Sequence, residues 1–513
     1  MPLGSSSTVV AAVVGLTAFV WLSAAADAQL TDVTQTPNRA NAGIQKSLEE
    51  QIGAGQGDMM TPESSMFIIG RDPFRAIRRG RQLFQRKFTV AQGVGPRVDD
   101  GVGDIETTPA IGAGLADSCA GCHGRPRGSA GFGGSVFTRP ESRDAPHLFG
   151  VGLKEMLADE ITADLRAIRT RIIDLAEQQG KPVTRSLSSK GIDYGSITAH
   201  PDGHVDTSRV EGVDPDLRVR PFLAHGGTIS LREFIVGAFD GEMGLQAQDP
   251  ELTAAAAGGR MGTPAGMVLD GALDRIEPPR ELTDTPVAAG HEVPMSLVDH
   301  LEFYLLNYFK PGIYRQTAVT EAGRQLMERI GCTQCHIPDL QLTNDRRVAD
   351  VETYYDPQRG GFNSLYAKAT PLHDEVDDGS GFPTMKYPLL QPFMVRDVFT
   401  DFKRHDLGPK FHERDFDGAV TTQFMTMPLW GVGSTAPYGH DGRSINLEEV
   451  ILRHGGEAQE ARDAFARLPE SQQYAVLRFL TSLVLFPPDD TTSNLGPNSI
   501  SLKELFNDVS DIE

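Results

Sequence analysis

The chain has 513 residues, with 69 Asp and Glu against 48 Lys and Arg and a formal charge of −21. That balance excludes nucleic acid as a partner, since its phosphates would be repelled, and suits a basic protein partner or plain solubility. Hydrophobic residues make up 39%, enough for ordinary cores in the two or three domains this length allows. The 54 Gly and 33 Pro predict many loops, as expected where a cofactor replaces part of a core.

Residues 9–26 form the one long apolar run, followed by Ala26-Asp27-Ala28 before Gln29. This is the pattern of a secretory signal peptide, 1–28. Residues 2–8 carry no Lys or Arg, so an uncleaved anchor is the alternative. Nothing later in the chain is long and apolar enough to span a bilayer. The expectation is a periplasmic or secreted protein without stable membrane insertion after cleavage. Residues 29–65 read as an irregular leader.

A helical stretch is predicted from Phe74 to Phe88, with Phe74, Ile77, Leu83 and Phe84 near one face. Its Gly80-Arg81-Gln82-Leu83-Phe84 returns as Gly323-Arg324-Gln325-Leu326-Met327 in a second stretch, Val319 to Ile330. Between His123 and Met295 the chain carries a large insertion. Its predicted parts are a helix at 153–179, a hairpin region at 191–222, a helix at 230–240 and an Ala/Gly-rich loop at 253–267. Extra structure around one motif suggests a built pocket. Apolar helices close each half, at Met295 to Leu306 before Pro311 and at Tyr474 to Leu483 before Pro487-Pro488. The domains expected are therefore 66–311 and 312–490, with a polar tail at 491–513.

Four cysteines in an exported chain would ordinarily suggest two disulfides. Here Cys119-Ala120-Gly121-Cys122-His123 and Cys332-Thr333-Gln334-Cys335-His336 consume all four. In Cys-x-x-Cys-His two thiols add to the vinyl groups of one porphyrin edge, and the histidine turns under the ring as proximal ligand. A thioredoxin-type pair or half a zinc site has no need of that histidine. Two covalently bound haem c groups are predicted, with His123 and His336 as proximal iron ligands.

Four segments resemble the di-haem oxidoreductases of the bacterial cytochrome c peroxidase superfamily, most nearly the branch described as thiol oxidoreductase-like. They are residues 115–124, the Gly150-Val151-Gly152-Leu153-Lys154-Glu155 region within 145–156, Arg404-His405-Asp406-Leu407-Gly408-Pro409, and Met427 through Ala458 with Pro437-Tyr438-Gly439-His440-Asp441-Gly442 at its centre. The resemblance covers most of residues 70–490, with poor matching at 180–230 and 340–390. It implies a mainly α fold of two cytochrome c-like domains with haems facing a shared interface, the first domain carrying the insertion. The thiol label has no residue-level support, because no cysteine is left free.

The resemblance places the distal ligand of the second haem fourteen residues after His440, at His454. Met stands there in typical peroxidases of the superfamily, Tyr in the enzymes that mature methylamine dehydrogenase, and His in rubber-cleaving oxygenases. A bis-histidine iron would have a lower potential than a His/Met one; the competing reading of His454 is a helix terminator before Gly455-Gly456. The first haem is expected to be open on its distal side. A carboxylate that moves the peroxide proton suits such a site, and Glu155 and Glu242 are the candidates, against a plain role as helix-start or solvated acids. His147 is a candidate resting-state ligand, and Arg125 and Arg127 candidate propionate partners. Trp430 is a candidate electron relay, with core packing as the alternative. Thr435 and Pro437 match a segment that holds calcium in the peroxidases. His405, His440 and Asp441 match family positions without a role derivable from the residues.

The function implied is an enzyme that reduces hydrogen peroxide with electrons from a small donor protein, a cytochrome c or a cupredoxin. The alternatives are a di-haem oxygenase or high-valent oxidant of an organic or protein substrate, with dioxygen as a second oxidant, and a non-enzymatic electron-transfer cytochrome.

Overall fold

The computed structural model describes residues 48–86, 88, 118–123, 145–243, 245, 247–279, 293–308, 316–355, 365–414 and 418–485. The signal segment, Arg125, Arg127, Pro311 and the tail lie outside them. Met1–Glu50 separates from Gln51–Glu513, and the description that follows concerns the second unit.

The first half opens with α1 (Ser65–Arg71) and α2 (Pro73–Gln85). Ser64 Oγ accepts from the Phe67 amide to start α1, and Asp72 accepts from Arg75 to start α2, with Pro73 at its first position. Next come α3 (Cys119–His123), α4 (Val151–Gln179), the strands β1 (Val183–Ser189), β2 (Ile192–Ala199) and β3 (Val205–Val210), and α5 (Leu231–Met243). The half closes with α6 (Pro250–Ala256), the small ladder of β4 (Arg260–Gly262) and β5 (Val268–Asp270), and α7 (Met295–Leu306).

The second half opens with α8 (Ala318–Arg329), capped by Thr317 and Thr320 reciprocally. Short strands follow: β6 (Leu340–Leu342), β7 (Ala349–Tyr355), β8 (Leu365–Pro371), β9 (His373–Val376) and β10 (Met385–Pro388). They continue as β11 (Phe393–Val395), β12 (Arg404–Asp406), β13 (Glu413–Arg414), β14 (Val420–Thr421) and β15 (Gln423–Met425). The chain then forms α9 (Leu447–Arg453), α10 (Gln459–Ala466) and α11 (Glu470–Ser482).

The internal repeat marks the same helix crossing twice. A Cβ on Gly80 would sit 2.2 Å from the His300 carbonyl oxygen on α7, and one on Gly323 would sit 2.0 Å from that of Ala475 on α11. Only glycine lets α2 reach α7, and α8 reach α11, at this separation. Leu83 and Phe84 in one pair, and Leu326 and Met327 in the other, are the buried residues beside each crossing. Around the second crossing Phe399, Phe465, Val476 and Phe479 complete a core.

The expected fold class is corrected by the strands. Of the described residues 40% are helix and 18% strand, a mixed α/β fold rather than a mainly α one. The insertion's hairpin begins at Val183, paired with Ala199 in a three-stranded antiparallel sheet, and not near residue 191. The Ala/Gly-rich loop holds α6 and the β4–β5 ladder. In the second half each ladder has two strands, several of only two or three residues. Some partners are distant in sequence, as in Leu340↔Val395 and His405↔Phe424. Strands this short carry no readable alternation, so hydrophobic period is blind to them. Among the described residues no helix is long and apolar enough to cross a membrane.

Candidate haem site

Both Cys-x-x-Cys-His segments line one cavity of about 1610 Å³, larger than the ~300–1,000 Å³ of ordinary small-ligand pockets. Cys119, Cys122 and His123 form α3, while Cys332–Gln334 form a tight turn entered through Gly331 at φ 92°. None of the four cysteines is in a disulfide. Burial pushes the Cys119 thiol up to about 12 and that of Cys332 up to about 11.

Three histidines of the cavity share one arrangement. His123 Nδ1 lies 2.6 Å from the Pro146 carbonyl, His336 Nδ1 lies 3.1 Å from that of Phe399, and His454 Nδ1 lies 2.7 Å from that of Val450. A carbonyl can only accept, so each Nδ1 carries the proton and each Nε2 keeps its lone pair. Burial lowers the pKa of all three, that of His454 to about 4. They are therefore neutral imidazoles at neutral pH, the form that ligates a metal. An Nδ1–H held by a backbone carbonyl is also how protein surroundings orient a ligating histidine. The donor set fits haem. Its ligands would be His123, His336 and His454, each beside or across from a cysteine pair.

His454 ends α9, and its carbonyl bond reaches back one turn to Val450. The next residues are clamped, with the Gly455 amide donating to Leu407 at 2.9 Å. The helix-terminator reading and the free Nε2 are thus compatible.

The other histidines are arranged differently. His147 accepts from the Phe149 amide at Nδ1 (3.2 Å), so its Nε2–H donates to the Trp430 carbonyl (2.7 Å). Both ring nitrogens are used, and the contact ties the segment before α4 to the second half. His405 donates to Asp401 at 2.9 Å and to Glu457 at 2.7 Å. Two carboxylates and a hydrogen bond to Cys335 outweigh burial and raise its pKa to about 11. Cys335, Asp401 and His405 have ligand atoms within 4.8 Å of one another, but an imidazolium donating from both nitrogens has no lone pair for a metal. Because the His405 pKa is raised above its unfolded value, its stabilisation is complete below about pH 6.5 and is lost as pH rises toward 11. Denaturant melts of His405→Gln should show a flatter fall in stability across that window than the parent chain. His440 stacks on Phe424 at 4.0 Å, with Nε2 2.9 Å from Glu413. Asp441 accepts from Arg453 and so braces α9.

The carboxylate candidates part company. Glu242, in the last turn of α5, lines the cavity, and its charge acts on His123. Glu155 is buried outside the cavity lining, where Arg346 donates to it at 2.6 Å and the Leu231 amide at 2.6 Å. Burial still raises its carboxyl to about 7. Two cavity residues were not singled out from the sequence. Glu233 accepts from Ser230 and from the Ile229 and Glu277 amides; its Ser-x-x-Glu spacing was the available signal. Lys154 is 5% exposed, and burial lowers its pKa to about 7. Behind α5, Arg232 holds Asp249 at 2.5 Å and Asp299 and Glu302 at 2.9 Å, all with fully buried side chains. This fixes α5, and with it Glu233 and Glu242, against α7.

Trp430 is buried in the cavity wall, and Thr435 and Pro437 line it beside a cis Ala436–Pro437 bond. The Thr435 hydroxyl donates to the Gly431 carbonyl at 3.0 Å.

No curated protein matches the chain. Among solved structures, hydrazine synthase of Kuenenia stuttgartiensis pressurized with xenon matches at 17% identity, over 38% of this chain and 57% of that one, with a TM-score of 0.20. The chain therefore spans little more than half the length of that relative, and the likeness is too low to bear on the fold. Residues 390–483, which contain His405, Trp430, His440 and His454, match the family described as "Di-haem oxidoreductase, putative peroxidase", which bears out the resemblance read from the sequence at 404–409 and 427–458.

Proposed function

We propose that the chain is an exported di-haem c-type oxidoreductase that reduces hydrogen peroxide with electrons from a small donor protein. Cys119, Cys122 and His123 would hold one haem, and Cys332, Cys335, His336 and His454 would hold the other. The observation that carries this reading is the inequality of the two motifs. Each has a proximal-type histidine, but the free-Nε2 partner, His454, belongs to the second, while His147 beside the first has both nitrogens engaged.

Bound haem supplies one-electron redox chemistry and, where its sixth position is open, a place for peroxide. The chain's part is to orient His123 through Pro146, to hold His336 and His454 in neutral form, and to offer a carboxylate for the peroxide proton. Glu242 replaces Glu155 as first choice, because it faces the cavity beside His123. The electron-carrier alternative needs a strong ligand on the first iron, and His147 would have to give up at least one of its two hydrogen bonds to become one. Export is supported by the 1–28 pattern and by the chemistry of thioether attachment, and the charge of −21 suits a basic donor, cytochrome c or cupredoxin.

The test is low-temperature EPR of the diferric protein before and after peroxide. The expected result is one high-spin and one low-spin bis-histidine signal, with only the first reacting. Two low-spin signals indifferent to peroxide, before and after one-electron reduction, would leave an electron carrier.

A further inference from the structure

Lys154 is a buried cation with no counter-charge among the described residues. It lies in the first turn of α4, its side chain lines the cavity, and the residue is 5% exposed. Its Nζ lies 3.6 Å from Met427 Sδ, from the second half, and 5.7 Å from the centre of the Phe222 ring, from the insertion. Among the described residues no carboxylate stands within ion-pair distance of it. Asp240, Glu277 and Glu460 line the cavity as well; Glu233 is held by Ser230 and two amides, Glu242 acts on His123, Glu457 accepts from His405 and Asp463 from Arg462. A buried ammonium left unpaired is costly, and a π face and a thioether return little of that cost. The helix beneath it starts at Gly150 with no capping side chain, so its positive end adds to the same field. A neutral residue of similar length would pack against Met427 and Phe222 at far lower cost.

We propose that Lys154 is the seat of a carboxylate supplied from outside the chain. Two sources share that chemistry: the propionate of the porphyrin held at His123, and a small organic acid bound in the same cavity. Either would restore the full charge that burial alone weakens. The inference rests on the haem reading above and deepens it, because it gives the first site a fixed electrostatic anchor on the side of α4.

Lys154→Met and Lys154→Gln remove the charge and keep most of the volume; Lys154→Arg keeps the charge. Haem content of the parent chain, measured first, separates the two readings, since a parent without haem at Cys119 and Cys122 overturns the haem reading before any variant is made. With a propionate partner, the neutral variants should lower the midpoint potential of the first haem, because a nearby cation favours the reduced iron. The shift expected is about tenfold in the reduction equilibrium, about 59 mV for one electron, and Arg should reverse most of it. With a diffusible acid, potentials stay equal in plain buffer. Benzoate or acetate should then produce a saturable shift in the parent's absorption spectrum that the neutral variants weaken by about tenfold or more. Neutral variants that bind haem, keep the parent potential and answer benzoate as the parent does would overturn the proposal. If Met and Gln lose the first haem while Arg keeps it, charge is what retains the porphyrin and the propionate source stands. If all three lose it, position 154 supplies packing alone and the proposal fails.

Discussion

Replacing Cys119 and Cys122 together by Ala is expected to leave one covalently bound haem and to abolish peroxide turnover. Both thiols line the cavity beside His123. His123 keeps its Pro146 carbonyl and its neutral Nε2 in the variant, so the change removes the thioether anchors and little else. Haem retained after acid–acetone extraction should fall from two per chain to one. The second-site bis-histidine EPR signal should persist, because His336 and His454 are held by Phe399 and Val450, carbonyls the mutations do not touch. The mirror variant, Cys332→Ala with Cys335→Ala, should keep the high-spin signal and its single encounter with peroxide while losing steady-state turnover with a donor. An inverted pattern would reverse the assignment of the two sites, and turnover that survives both changes would sink the enzyme reading.

His454→Met should raise the midpoint potential of the second haem, by a substantial part of the ~0.8 V that axial ligation spans across haem proteins. Met favours the reduced iron where His favours the oxidised one, and its unbranched chain fits a position whose backbone is already clamped through Gly455 and Leu407. The iron should stay low-spin with altered g values. A variant with unchanged potential and unchanged spectrum would reduce His454 to the end of α9.

The proposed haem chemistry rests on local sequence. Cys-x-x-Cys-His is a mechanical unit of five residues, so its spacing alone predicts two attachment sites without knowledge of the fold. The Gly80 and Gly323 repeat was equally readable, since only glycine survives a helix crossing with a carbonyl at 2.2 or 2.0 Å. His454 came from its register after His440, and the structure adds the reason it is suited: a carbonyl one turn back sets its tautomer.

The fold class was misread in part because several strands of the second half have only two to four residues, too short for periodicity, and some find partners far away, as Leu340 does with Val395. Lys154 and Glu155 show the same limit at the site. Adjacent residues on a helix point about 100° apart. One of the two therefore faces the cavity while the other turns to Arg346. Sequence order can name both residues as neighbours of a Gly-x-Gly-Leu-x-Glu segment. Which of them meets the cavity depends on how α4 is rolled against α5, α7 and the second half, and side-chain packing sets that roll. The candidate donors were thus nameable from the chain, whereas the hydrogen bonds that set each imidazole's tautomer were decided by the carbonyls and amides that folding brought beside it.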